Sequence, residues 1–225
     1  MNSKPERILV VAPHPDDETL GCGGTLLRMA HEGADTAWLI VTSMPQDAGF
    51  STECIAARDA EIAKVSKLYG FSDVFTLNLP TRRLDTYPVA DLIGEFSRVF
   101  QKYAPSQVFL PHRRDVHTDH RAVFDAGAAC SKWFRYDSVR RVFAYETLSE
   151  TEFTLDAQPA FQPNYFVDIG EFLERKLNIM AVYQSEMNEF PFPRSVEAIR
   201  ALASLRGASS GFRAAEAFQL LRERY

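Results

Sequence analysis

Residues 7–12 read RILVVA, and the chain runs from them straight into PHPDDE at 13–18. A continuous apolar run of this length, ended by a proline and a cluster of charge, is the pattern of a strand buried on both faces. The stretch after it, 19–32, has helical spacing and closes at Gly33, a residue suited to a helix end. The alternation then repeats. TAWLIVT (36–42) predicts a second strand, 54–69 a helix stopped at Gly70, and 73–77 a third strand. Beyond these come a helix over 90–103 with Pro105 after it, a fourth strand QVFL (107–110), a helix over 118–134, and a fifth strand over 141–145. Strands alternating with helices of this length imply βαβ units, so the expected class is α/β with a mainly parallel sheet. In such a sheet, ligands bind beyond the carboxyl ends of the strands, where the strand order reverses.

The last third is less regular. Residues 158–163 read as a loop with two prolines, 165–169 as a short strand, and 170–183 and 195–204 as helices. FPFPR at 190–194 breaks the pattern, and 214–224 reads as a terminal helix. No repeat or linker divides the chain, so residues 1–225 are expected to form one domain. A composition of 46% hydrophobic and 24% charged residues is that of a soluble globular protein. The net charge of -5, with arginines only in short pairs such as Arg82-Arg83, argues against a nucleic-acid partner. No segment approaches the roughly 18 apolar residues of a membrane span, and the start lacks a signal peptide's apolar stretch, so a cytoplasmic location is expected. Cys22, Cys54 and Cys130 are odd in number and form no CxxC pair. All three are expected to be small buried packing groups in a reducing compartment.

Two clusters fall just after predicted strands. His14-Pro15-Asp16-Asp17-Glu18 ends the first, and Asp115-Val116-His117-Thr118-Asp119-His120 follows the fourth; four of the five histidines lie in or beside them. A catalytic zinc takes three protein ligands from His, Asp or Glu and keeps one position for water. His14 and Asp17, three apart in a turn, can face one ion. Either His117 or His120, three apart at a helix start, can supply the third ligand, leaving the other for catalysis. Asp16, beside the ligand pair but not needed in it, suits the base that takes a proton from metal-bound water. A protonated histidine, held in that state by Asp119, suits oxyanion stabilisation or protonation of a leaving amine. The plain alternatives are that Asp16, Asp17 and Glu18 are helix-start charges, that Thr118-Asp119 is a cap and that His117 is a surface residue. The occurrence of both clusters at strand ends favours the metal site.

VVAPHPDDETLGCGG (10–24) resembles the hallmark segment of the PIG-L/LmbE-type N-acetyl sugar deacetylases, and HTDH (117–120) resembles their second motif. Arg58 and Glu61, Tyr183-Gln184-Ser185, Arg206-Gly207 and Ala215-Glu216-Ala217-Phe218 resemble later pieces, so the likeness touches nearly the whole chain. The resemblance implies a Rossmann-like three-layer fold with helices on both sheet faces and one Zn2+, with Fe2+ or another divalent metal as alternatives. It implies His14, Asp17 and His120 as metal ligands and Asp16 as general base. It further implies His117 as oxyanion stabiliser or acid, Asp119 as its charge partner and Arg58 as a substrate-binding residue. The implied reaction is hydrolysis of the N-acetyl group of a sugar-like small molecule, such as a GlcNAc-type glycoconjugate or a nucleotide-sugar precursor. One departure stands out: YQSE places Glu186 where the family usually has glutamine.

Three competing readings stand beside this one. Gly21, Gly23 and Gly24 suggest a dinucleotide loop, but HPDDE occupies the place where GxGxxG should open the helix, and GCGG falls inside the helix. Two histidines and a carboxylate also make the facial triad of a non-haem iron enzyme, although the surplus Asp16 and His117 suit hydrolysis better. The third is a Rossmann-like module that binds a sugar or nucleotide without chemistry. Specificity is expected from 79–87, with Arg82 and Arg83, and from 187–194, with Phe190 and Phe192. A homo-oligomer is left open.

Overall fold

The structure is a computed structural model that describes residues 5–46, 49–155 and 161–225. Its centre is a seven-stranded sheet in the order β3-β2-β1-β4-β5-β7-β6. The strands are β1 (Arg7–Ala12), β2 (Asp35–Ser43), β3 (Asp73–Pro80), β4 (Gln107–Pro111), β5 (Arg141–Tyr145), β6 (Tyr165–Asp168) and β7 (Ala215–Glu223). The first five are parallel, and β7 runs antiparallel between β5 and β6. Strand order reverses between β1 and β4, so the segments leaving these two neighbours meet at the carboxyl edge.

The helices are α1 (Asp17–His31), α2 (Thr52–Tyr69), α3 (Val89–Tyr103), α4 (Thr118–Ala129), α5 (Leu173–Met180) and α6 (Val196–Ser210). Residues of β1 alternate between two cores. Ile8, Val10 and Ala12 pack with α1, α5, α6 and the end of α2, while Leu9 and Val11 pack with α3 and α4. Both faces of β1 are therefore dry, which is why its sequence is an unbroken apolar run. The glycines of GCGG lie inside α1 and let it sit against its neighbours. A Cβ on Gly21 would stand 2.2 Å from the Tyr145 ring, and one on Gly24 would stand 2.6 Å from Ile169.

Several elements differ from the sequence expectation. Residues 214–224 are mostly strand, not helix. Ala214, Ala217 and Phe218 sit at helical spacing, but the backbone of 215–223 completes the ladder between β5 and β6, and a strand covered on both faces shows no alternation at its start. The helix expected over 118–134 stops at Ala129, where the Ser131 hydroxyl bonds back to the Ala128 carbonyl. The helix at 195–204 continues to Ser210 and ends at Gly211, in the left-handed conformation. Helix 170–183 shortens to α5. Cys22 and Cys130 are buried as expected, but Cys54 is exposed on the first turn of α2, and all three are free. The loop expected at 158–163 lies partly outside the described residues. Among the described residues, no helix is long and apolar enough to cross a membrane.

Candidate metal centre and active site

His14, Asp16 and Asp17 sit where β1 turns into α1. Asp16 has φ 133°, a conformation that side chains other than glycine rarely adopt, and its side chain makes no capping bond to the helix. A helix cap is thus not its role, and strain of this kind concentrates at functional sites. The turn is held by the Asp16 amide, which donates to Glu18 Oε2 at 3.0 Å, and by the His14 amide, which donates to Asp17 Oδ2 at 2.8 Å. Glu18 is itself fixed by hydroxyl bonds from Thr19 and Tyr183. Burial pushes its carboxyl up to about 7.

His120, in the first turn of α4, aims at the same point. His14 Nδ1 lies 3.4 Å and His120 Nε2 3.3 Å from Asp17 Oδ2. The three residues offer ligand atoms that all lie within 4.8 Å of one another. The far nitrogen of each imidazole meets a carboxylate: His14 Nε2 lies 3.1 Å from Asp119 Oδ2 and His120 Nδ1 2.8 Å from Asp115 Oδ2. Asp115 is in turn fixed by the Thr151 hydroxyl at 2.6 Å. A carboxylate on the outer nitrogen sets the tautomer and orientation of a metal-binding histidine.

The donor set fits a divalent cation. His120 Nε2 is fully buried and makes no hydrogen bond. Burial disfavours a proton on His14, yet Asp119 and Asp17 overcome it and push the ring up to about 9. Burial likewise opposes charge on His120, but Asp17 and Asp115 hold it well above its ordinary value. Asp17 is driven below the carboxylate range by both rings despite its burial. A divalent cation bound among these groups would take the place of their protons.

His117 and Asp119 differ from the expected pairing. His117 is the N-cap of α4, and its Nδ1 accepts the Asp119 amide hydrogen at 3.1 Å. The Asp119 carboxylate is 4.0 Å from that nitrogen. It is committed to His14, to the Arg82 amide at 2.7 Å and to the Leu84 amide at 3.1 Å. Asp119 thus meets the N-cap ring only at ion-pair distance, while its hydrogen bonds go elsewhere. Burial, with the charge of His14, brings His117 down to about 4. The ring is therefore neutral, and with Nδ1 accepting, its proton is assigned to Nε2.

Asp16 and His117 both line a cavity of about 750 Å³ at the carboxyl edge of the sheet, shared with Ile40, Ile55, Arg58 and Arg194. Burial, with Asp17 and Glu186 nearby, raises the Asp16 carboxyl well above its ordinary value, while Arg194 opposes the rise. Arg58 reaches the cavity wall, but its guanidinium is engaged by the Pro15 carbonyl at 2.8 Å, Ser185 at 3.2 Å, Glu61 at 3.2 Å and Glu186. Glu186 joins Arg58 to Arg194, and Arg194 Nη1 reaches Asp16 Oδ2 at 2.9 Å. Sequence reasoning gives Asp115 and Glu186 no role and reaches Arg194 only as the end of the 187–194 segment. Asp115 carried a readable signal, a carboxylate five residues before a candidate ligand histidine; Arg194 carried none of its own.

Residues 9–131 match the family described as PIG-L, GlcNAc-PI de-N-acetylase. The chain is 26% identical over 230 residues to the diacetylchitobiose deacetylase of Thermococcus kodakarensis, covering 96% of this chain and 83% of that one. The conserved protein TT1542 of Thermus thermophilus shares the fold with a TM-score of 0.77 at 28% identity, covering 97% and 96% of the two chains. The 4-carboxy-2-hydroxymuconate hydratase GalB of Pseudomonas putida does so with a TM-score of 0.72 at 17% identity, covering 98% of each. A hydratase on the same scaffold means that the fold alone does not set the reaction. The match over 9–131 takes in more than half of the 225 residues and both clusters at the carboxyl edge, and the chain belongs to the PIG-L family.

Proposed function

We propose that this protein is a deacetylase that hydrolyses the N-acetyl group of an amino-sugar substrate with one divalent cation, zinc by choice of donors, held by His14, Asp17 and His120. The observation that carries the reading is the convergence of His14 Nδ1, Asp17 Oδ2 and His120 Nε2 beside a buried carboxylate, Asp16, that faces the cavity. Family membership and the named activity of the Thermococcus relative support the substrate class. A cation bound there supplies Lewis acidity: it lowers the pKa of a coordinated water and polarises the amide carbonyl.

The chain's own residues do the rest. Asp16 takes the proton of the attacking water at its carboxylate, whose proton affinity burial raises, and passes it to the amine nitrogen as the C–N bond breaks and acetate is released. His117, neutral with its proton on Nε2, donates a hydrogen bond to the carbonyl oxygen as negative charge develops there. Asp119 and Asp115 hold the His14 and His120 rings in place. Arg58 acts on the substrate side by shaping the wall around Pro15 and Glu186. The 225 residues act as one catalytic unit, since β7, near the end of the chain, completes the sheet that begins with β1.

The test is free-amine release from N-acetylglucosamine and diacetylchitobiose by metal-quantified protein, with and without a chelator. Asp16→Asn is expected to lower turnover on the order of 100-fold or more with metal content near wild type. His14→Ala and His120→Ala are expected to lose the metal, and His117→Ala to keep it. Near-normal turnover in Asp16→Asn overturns the base assignment. Full metal occupancy in both ligand variants overturns the metal site. Chelator-insensitive binding of these sugars without amine release makes the protein a binding module.

A further inference from the structure

Arg194 ends the FPFPR segment, one residue before Ser195, whose hydroxyl caps α6 by accepting the Ala198 amide hydrogen at 3.1 Å. Its guanidinium is thus presented from the fixed start of a helix. Nη1 makes two bonds, to Asp16 Oδ2 and to Glu186 Oε2, both at 2.9 Å. The other oxygen of Glu186 is taken by Arg58, and Arg58 returns to the carbonyl of Pro15. The circuit Pro15–Arg58–Glu186–Arg194–Asp16 therefore closes on two adjacent residues of the strained turn. Among the described residues, Arg194 makes the one hydrogen bond to the Asp16 carboxylate, and that bond is at Oδ2.

We propose that Arg194 is a positioning residue: by holding Oδ2 of Asp16 it keeps this carboxylate from swinging onto the cation beside it and leaves Oδ1 to take the proton. The proposal rests on the reading of Asp16 as base. The physical reason is proximity. Asp16 precedes a metal ligand, and a free carboxylate next to a divalent cation coordinates it. A charge-assisted bond to a guanidinium is the competing attraction that fixes the rotamer. Glu186 is the anchor that holds the guanidinium in place, and an ionised carboxylate does this more strongly than the glutamine usual at this position in the resembled motif.

Two kinds of measurement test it. In kinetics on diacetylchitobiose, Arg194→Ala is expected to lower kcat by about 10- to 100-fold, the scale of a misplaced catalytic group, with KM and thermal midpoint little changed. Arg194→Lys and millimolar guanidinium added to Arg194→Ala are each expected to restore part of the loss. On the Asp16→Asn background, Arg194→Ala is expected to change nothing further, because both act through one carboxylate. Without substrate, the visible absorption of the Co2+-loaded protein is expected to shift in Arg194→Ala, as Asp16 joins the coordination, and not in Arg194→Ala/Asp16→Asn. A wild-type kcat in Arg194→Ala, a raised KM at unchanged kcat, an equal loss on the Asp16→Asn background or an unmoved cobalt spectrum each overturns the proposal. An inactive Asp16→Asn beside a normal Arg194→Ala removes only the positioning role, whereas a normal Asp16→Asn removes the base assignment itself.

Discussion

Lys176 and Glu216 form an ion pair inside the protein, 2.7 Å apart with both side chains about 5% exposed or less. The pair is built into α1. Lys176 Nζ donates to the Leu20 carbonyl at 2.8 Å. Glu216 accepts the amide hydrogens of Gly24 at 2.8 Å and Thr25 at 2.7 Å. Leu20 and Gly24 are i,i+4 partners in a regular helix, so the pair grips α1 at one of its own turns. Lys176→Met removes the ammonium but leaves Glu216 with two amide donors. The expected cost is at the lower end of the range for breaking a buried pair, about 3 kcal/mol. Glu216→Ala strips two buried amides and leaves the ammonium with one carbonyl, so the upper end, about 5 kcal/mol, is expected. The double variant should cost less than the sum by at least about 1 kcal/mol, because the second change removes a charge the first left unpaired. The assay is urea unfolding of metal-free protein, so that cation binding does not add to the folded state, with the m-value checked for constancy. If Lys176→Met falls within about 0.5 kcal/mol of wild type at an unchanged m-value, the ion pair does not stabilise the fold.

Two further outcomes follow, one from the candidate metal centre and one from α1. Asp115→Asn should weaken metal binding by about 10- to 100-fold in a chelator competition, because Asp115 orients His120; an unchanged affinity would show that burial alone fixes the ring. Gly21→Ala should destabilise by about 1–3 kcal/mol in urea unfolding. Its new Cβ would stand 2.2 Å from a Tyr145 ring whose hydroxyl is tied to the Val11 carbonyl at 2.8 Å, and a shift near zero would mean that the ring can move aside.

What the sequence could and could not disclose follows from the range of each interaction. The parallel half of the sheet was readable because each strand and helix there states its burial in its own period: β1, β2 and β4 are dry on both faces, and their apolar runs say so. The candidate metal ligands were readable for a similar reason. His14 and Asp17 lie three residues apart in one turn, and His120 belongs to a six-residue cluster, so only the meeting of two short segments had to be supplied, and the βαβ rule supplies it. β7 was misread because its partners are β5 and β6, and no local period distinguishes 214–224 from a helix until those strands are in place. The full set of Asp119 partners was not legible because sequence proximity to His117 says nothing of direction; its carboxylate stands 4.0 Å from His117 Nδ1 and also meets His14, 105 residues away. Arg194 lies 178 residues from Asp16, in a segment whose prolines announce only a break. The residues proposed to hold the cation are therefore set by local chemistry, while those proposed to aim the ligands and the base are set by the folded chain. Mutational effects at Asp115, Asp119 and Arg194 should accordingly appear as altered metal affinity, tautomer and rotamer rather than as loss of the ligands themselves.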